Sequence, residues 1–356
     1  MALNYKPNTI KTDFGSYRHY WRGIKKIGKT TMFRDIVLEQ YGDLKHGLLI
    51  SLGTETGYKA IGGLYVHDAT TWKEFVETVT DLVKSKKENE FKVVAFDTVD
   101  ELVQIAVDEA MEEHYRVKKF QGKSINEILG GFGAGRSYVR DLIDTQIFRL
   151  ERAGYGLVFI GHTKVKDIKE KGAEETYQIL TGNLEHSFDG IFADKADIIA
   201  TFYTDRTVSQ GKVQSAKRYI YFRDDTFVDC GTRFENMPEK VEMTAKEYLR
   251  AFDIGVRSSL GFVSDEELLN LREKEENKRQ EDGEKYSETE DLEKKELFDL
   301  ETFKSAMIDQ IGKLGGKNNA PLMVLIKSYE PSLNVNRITD VEKLKELQTK
   351  IDELGE

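Results

Sequence analysis

The chain has 356 residues, 39% of them hydrophobic and 33% charged, with a formal net charge of −10 and one cysteine, Cys230. This length allows one large domain with an appendage and a well-buried core; the lone cysteine excludes an intrachain disulfide framework and fits a reducing cytoplasm. No run approaches the roughly 18 consecutive apolar residues of a membrane span, and the polar residues 1–14 lack the apolar segment of a secretory signal, so a cytoplasmic protein without a membrane partner is expected.

In chain order, short β-rich runs alternate with longer helical patterns. Strands are expected at 17–22, 47–52, 64–67, 91–97, 156–161, 198–203 and 218–222, and helices at 29–41, 71–86, 100–118, 137–153 and 245–252. The alternation implies an α/β fold with a mainly parallel central sheet flanked by crossover helices. The runs 93–96 and 157–160 are continuously apolar, as strands buried on both faces should be. From 264 to about 296 the composition turns to Glu, Lys, Asp and Arg, which describes a charged linker or a solvated helix. Apolar spacing resumes at Leu297 and runs through Phe303, Met307, Ile311, Leu314, Leu322 and Ile326, with a turn at Gly315-Gly316. The expected division is a core over 1–260, the charged segment over 261–296, and a small helical C-terminal module over 297–356. Residues 261–356 hold 15 Lys and Arg against 24 Asp and Glu, or −9 of the total −10, which leaves −1 on the first 260 residues. The acidity belongs to the tail, and basic loops of the core can still meet phosphates.

Gly23-Ile24-Lys25-Lys26-Ile27-Gly28-Lys29-Thr30 matches G-x-x-x-x-G-K-[ST] at every fixed position. Such a loop wraps a phosphate chain with inward-pointing backbone N–H groups, and glycines permit both the close approach and positive φ angles. The helix that begins near Lys29 adds its N-terminal partial positive charge. Lys29 would neutralise the β- and γ-phosphates of ATP, and the Thr30 hydroxyl would bind Mg²⁺. A strand of four apolar residues ending in an acid is expected downstream; Val93-Val94-Ala95-Phe96-Asp97 supplies it, and Asp97 would share the Mg²⁺. The strand before the motif, 17–22, is more polar than a central strand usually is.

Two further segments narrow the class. Thr54-Glu55-Thr56-Gly57-Tyr58 follows the 47–52 strand, and Ile160-Gly161-His162 closes the 156–161 strand. With Lys26-Ile27-Gly28-Lys29-Thr30-Thr31 they form an order that resembles the RecA-like core. More closely it resembles phage-encoded RecA-like P-loop ATPases, the AAA-domain nucleotide-binding proteins of single-strand annealing and recombination, over roughly 17–252. The resemblance implies a RecA-like P-loop NTPase core, and a cofactor pair of ATP and Mg²⁺. It also implies Glu55 as the base that orients the attacking water and His162 as the residue that senses the γ-phosphate, where RecA itself usually carries Gln. It further implies two loops that hold single-stranded DNA, at about 118–136 and 164–177. The first offers Lys118, Lys119, Lys123 and Arg136 and the second Lys164, Lys166, Lys169 and Lys171, diluted by Asp167, Glu170, Glu174 and Glu175; Phe120, Phe132 and Tyr177 would stack on bases.

A site completed by a neighbouring subunit would need a trans arginine, with Arg223 and Arg233 as candidates and Arg136 behind them. The leading expectation is an oligomeric Mg²⁺-dependent ATPase acting on single-stranded DNA in phage recombination or replication, in a bacterial host cytoplasm. Two alternatives stand beside it. One is a helicase-loader-like replication ATPase that docks a protein through its C-terminal module; the other is a nucleotide-gated interaction module with negligible hydrolysis. A small-molecule kinase fits less well, because no arginine-rich lid segment is evident.

Overall fold

The computed structural model describes residues 8–355 apart from 120, 121, 170, 171, 173, 210, 211, 262, 339 and 340. The elements in chain order are β1 (Arg18–Gly23), α1 (Lys29–Tyr41), β2 (Gly47–Leu52), β3 (Tyr65–Ala69), α2 (Trp72–Lys84), β4 (Val93–Asp97), α3 (Val99–Lys118), α4 (Ala134–Arg152), β5 (Gly156–Gly161), β6 (Thr163–Ile168) and β7 (Tyr177–Gly182). They continue with α5 (His186–Ala193), β8 (Ile198–Ser209), β9 (Lys212–Tyr221), β10 (Gly231–Thr232), β11 (Lys240–Glu242), α6 (Ala245–Leu260), α7 (Asp265–Lys313), α8 (Ala320–Tyr329) and α9 (Val341–Gly355). Among the described residues no helix is long and apolar enough to cross a membrane.

The main sheet runs β11-β9-β8-β1-β5-β4-β2-β3, with β10 added beside β8. From β3 to β8 all neighbours are parallel, and β9 and β11 close the other edge antiparallel. One apolar cluster joins the sheet to α2, α3, α4 and α5, and a second joins it to α1 and α6. Strand β5 lies between β1 and β4, so the residue that follows β5 stands between the phosphate-loop strand and the Asp97 strand. The register brings Ser51, Asp97, Ile160 and Gly161, Arg22 and Gly23, and Thr201 and Phe202 to one edge of the sheet.

The polar character of β1 has a structural explanation. The strand is central and almost wholly buried, and its polar side chains find partners for all but Arg22 Nε. His19 Nδ1 lies 2.8 Å from the Tyr248 hydroxyl and Nε2 3.0 Å from the Phe14 carbonyl. Trp21 Nε1 donates to the Tyr248 hydroxyl, the Tyr20 hydroxyl donates to Asp189, and the Arg22 guanidinium bonds the Asp229 side chain and carbonyl. Buried polar groups are tolerated when so paired.

Three segments differ from the sequence reading. The 164–177 segment is not a loop throughout: β6 and β7 pair as a separate antiparallel hairpin, so Lys164 and Lys166 lie on a strand. Strands β8 and β9 extend past the expected 203 and 218 into an exposed two-stranded ribbon, whose polar composition carries no apolar run. The short helix α5 carries the buried Phe188, Ile191 and Phe192.

The chain divides into two compact units, Met1–Ser287 and Glu288–Glu356, with the boundary inside α7. The first unit runs past residue 260 because the start of α7 is bonded to the N-terminal segment. Glu275 accepts from the Thr12 backbone N–H at 2.7 Å and from the Ser16 hydroxyl, Arg279 pairs with Asp13 at 2.6 Å, and Arg272 donates to the Thr12 carbonyl. The second unit is helical, with its own core of Met307, Leu322, Ile326, Val335, Ile338, Leu344, Leu347 and Ile351.

Candidate functional site

The turn from β1 to α1 is made by residues 23–28, with Lys26 at φ 63° and Gly28 at φ 113°. Positive φ at these positions turns neighbouring N–H groups toward one side, as an anion-binding concavity requires, and only glycine takes the Gly28 value without strain. Lys29 opens α1 and is 6% exposed. Its Nζ folds back across the loop to donate to the Gly23 carbonyl at 2.8 Å and the Ile24 carbonyl at 3.1 Å. Burial pushes its pKa down to about 8, opposed by the charges of Asp97, Asp100 and Glu55. A buried ammonium held by two loop carbonyls and faced by three carboxylates is poised for an anionic ligand that would take it over.

Thr30 donates its hydroxyl to Asp97 Oδ2 at 2.6 Å. Asp97 ends β4 at 7% exposure, and the Asp97–Thr98 peptide is cis. Burial raises its carboxyl above the usual range, against the Thr30 hydrogen bond and the Lys29 charge. A hydroxyl and a carboxylate in contact form a hard oxygen donor set that fits Mg²⁺, which binds through one or two carboxylates plus substrate phosphates. Among the described residues no cluster of three or more His, Cys, Asp or Glu is placed to hold a metal by itself.

Glu55 lies in the turn after β2, half-buried, with its carbonyl accepting from the Ser51 hydroxyl at 2.9 Å. Its charge acts on both Lys29 and Asp97. His162 follows β5; its backbone N–H donates to Asp100 Oδ2 at 3.0 Å and its ring Nδ1 lies 3.5 Å from the same oxygen. Lys29, Thr30, Asp97, Glu55 and His162 therefore converge on one edge of the sheet.

An AAA domain family model matches residues 16–234. The chain belongs to that family. No curated protein matches the chain. The match to this AAA domain begins two residues before β1 and ends soon after β10, so it contains every residue of the convergence just described.

Four residues of the site escaped the sequence reading. Asp100 and Glu101 occupy the first turn of α3, where acids are expected simply because they suit a helix N-terminus. Here they also reach outward: Asp100 accepts from His162 and, through Oδ1, from Asn183 Nδ2 at 2.8 Å, and Glu101 accepts from the Thr54 backbone N–H at 3.3 Å. The first turn of α3 thus steadies the loops on both sides of Asp97. Burial would raise the Asp100 carboxyl, yet the hydrogen bonds from His162 and Asn183 outweigh it and hold the pKa below its ordinary value. Arg218, on β9, donates to the Ile27 carbonyl of the phosphate loop at 3.3 Å. Met243 approaches Gly28 so closely that a Cβ there would lie 3.1 Å from its Cε. Both line a cleft of about 450 Å³ with Thr31, Asp35 and Leu38, beside the loop.

The remaining expected residues are dispersed. Lys118, Lys119 and Lys123 are exposed at and beyond the end of α3. Arg136 is committed to Asn126, Glu185 and Ser187 and stacks over Phe188. Lys164 donates to the Asn183 and Leu184 carbonyls, while Lys166 and Lys169 are exposed. Phe132 is fully exposed at φ 51°, between Gly131 and Gly133, which also have positive φ. Phe120, Glu170 and Lys171 lie outside the described residues. The Arg223 guanidinium bonds the carbonyls of Phe234, Glu235 and Met237, whereas Arg233 is 64% exposed and meets Asp197 at 3.6 Å.

Proposed function

We propose that the protein binds and hydrolyses ATP with Mg²⁺ and acts, as an oligomer, on single-stranded DNA in phage recombination or replication. One observation carries the nucleotide half: the buried Lys29 bonded to its own loop beside the Thr30–Asp97 pair. Lys29 would leave the loop carbonyls to neutralise the β- and γ-phosphates. Thr30 and Asp97 would hold Mg²⁺, which when bound supplies positive charge between those phosphates. Glu55 would orient a water and take its proton as the water oxygen bonds the γ-phosphorus and the bond to the bridging oxygen breaks. The nucleoside would lie in the cleft against Met243 and Arg218.

The DNA half is supported by the loop between α3 and α4. A bulky residue at positive φ is sterically costly, and Phe132 takes that conformation while wholly exposed, as an aromatic presented for stacking would. Lys118, Lys119 and Lys123 nearby in sequence would neutralise phosphates. For the trans contribution, Arg233 is the freer of the two expected arginines.

Equilibrium binding of ATP and of inorganic tripolyphosphate tests the site in two parts. Lys29→Ala should weaken both ligands by on the order of 100-fold, since it removes a charge-assisted contact. Met243→Ala should weaken ATP about tenfold, by loss of apolar contact with the base, and leave tripolyphosphate unchanged. Wild-type protein that binds neither ligand would refute the reading.

A further inference from the structure

Beside its own core, the second compact unit carries an apolar groove of about 490 Å³, lined by Ile308 and Ile311 of α7, Met323 and Ile326 of α8, and Leu333 and Val335 of the connection to α9. Ile326 and Val335 belong to the core, whereas Ile308 and Leu333 are 41% and 45% exposed. Leu333 is held at φ 60°, in a turn closed by its N–H donating to the Glu330 carbonyl at 2.9 Å. A bulky side chain in that conformation is sterically costly, and such strain clusters at binding sites. The charge around the groove is opposite in sign to that of the tail that contains it. Residues 261–356 carry −9, yet 304–339 hold Lys304, Lys313, Lys317, Lys327 and Arg337 against Asp309 and Glu330, or +3. Lys304 donates to the Asn336 carbonyl at 3.2 Å, next to Val335 in the chain. Lys327 is exposed, one residue beyond Ile326 and one helical turn from Met323. The Glu330 carboxylate is bonded to the Ser332 N–H and hydroxyl.

We propose that this groove is a docking site for an acidic amphipathic helix of a partner protein, whose apolar side chains fill it and whose carboxylates meet Lys304 and Lys327. The inference stands apart from the nucleotide reading, since all of its residues lie in the second unit. Two helices and a turn side by side form a trough of the kind that receives the apolar face of a helix. Nucleic acid would use the lysines and leave the apolar lining wet. A lysine-rich segment would fill the lining but meet the +3 rim with like charge. An acidic segment satisfies both features. The −9 of the tail repels such a segment elsewhere, so the basic rim confines it to the groove.

Fluorescence anisotropy of the full chain with two labelled synthetic peptides of about fourteen residues tests the groove. One carries leucines at i, i+3, i+4 and i+7 among glutamates, and the other has lysines in place of the glutamates. The acidic peptide should bind with a Kd on the order of 10 μM at low salt, at least about tenfold more tightly than the basic one. Ile308→Asp places a charge on the apolar lining and should weaken the acidic peptide by roughly tenfold or more. Lys327→Glu should weaken it about fivefold and flatten its salt dependence. This second variant alters an exposed side chain, so its effect stands even if Ile308→Asp folds poorly. ATP binding should match the wild type in both; a wild type that binds no ATP would refute the nucleotide reading and leave this inference standing. No binding of the acidic peptide at about 1 mM, equal affinity for the two peptides, or acidic-peptide binding that both variants leave intact would overturn it. So would a single-stranded oligonucleotide that binds in place of the acidic peptide and is lost in Lys327→Glu, which would make the rim a nucleic-acid contact. Self-association that Ile308→Asp abolishes, with no peptide bound, would instead make the groove an interface between copies and overturn it as well.

Discussion

At the phosphate loop, Lys29, Thr30 and Asp97 are buried or half-buried and bonded to one another or to the backbone. Other segments are built differently: strand β6, the outer part of β9 and the Phe132 tip are exposed. The buried part can fix atoms to a few tenths of an ångström because packing and low dielectric penalise any alternative. The exposed part gains little from its own burial and can change shape or partner at low cost. The proposed chemistry thus falls on the buried part and the proposed DNA contact at Phe132 on the exposed part.

The largest expected effect is at the centre of the buried part. Lys29→Ala should remove ATP hydrolysis to below about a thousandth of the wild-type rate, since both binding and transition-state charge depend on it; phosphate release would measure this. Glu55→Gln should come next, slowing turnover by roughly 100- to 1000-fold with ATP affinity within about threefold, the signature of a lost general base. If Glu55→Gln weakens binding as much as turnover, the residue belongs to the cradle and not to the water.

Crossing to the exposed part, Phe132→Ala should weaken single-stranded DNA binding by about tenfold, in line with one lost stacking contact of roughly 1–3 kcal/mol, and leave ATP binding unchanged. Fluorescence anisotropy at fixed salt would show it. Equal loss of ATP affinity would erase the division between the two regions.

The pH dependence sharpens the same comparison. Lys29 carries its charge below a pKa of about 8 in the ligand-free site, so ATP affinity should be steady near pH 7 and fall as pH rises through 8 to 9. A buried lysine away from the edge supplies a smaller, separate effect. Lys86 is pushed down to about 7 by burial and by Arg279, with its Nζ over the Tyr155 ring, against about 10.4 when unfolded. Below pH 7 both states are charged and the folded state carries the full cost; as pH climbs from 7 toward 10.4 only the unfolded state keeps the proton, so stability should rise. Lys86→Met should abolish that rise and, at neutral pH, change stability by about 2 kcal/mol in the favourable direction; urea melts at pH 7 and pH 9 would check both.

The parallel sheet was legible because its strands β4 and β5 are continuous apolar runs, and the phosphate loop because its chemistry demands residues at fixed spacing. Asp100 and Glu101 were not, since acids in a first helical turn need no further reason, and their outward bonds depend on where β2 and β5 end. The β8–β9 ribbon has no sequence signal because residues 204–207 and 212–217 contribute little to the core and therefore show no hydrophobic period. Arg218 and Met243 reach the loop from strands and turns about 200 residues later in the chain, a distance no local pattern spans. The charged start of α7 reads as solvated, yet Glu275 and Arg279 use their charges to hold the N-terminal segment.

Steady-state ATP hydrolysis by wild type and Lys29→Ala, with and without single-stranded DNA, tests the central claim most directly. Wild-type turnover should rise with DNA and vanish in the variant. Wild-type turnover no greater than that of Lys29→Ala, with DNA present or absent, would contradict it.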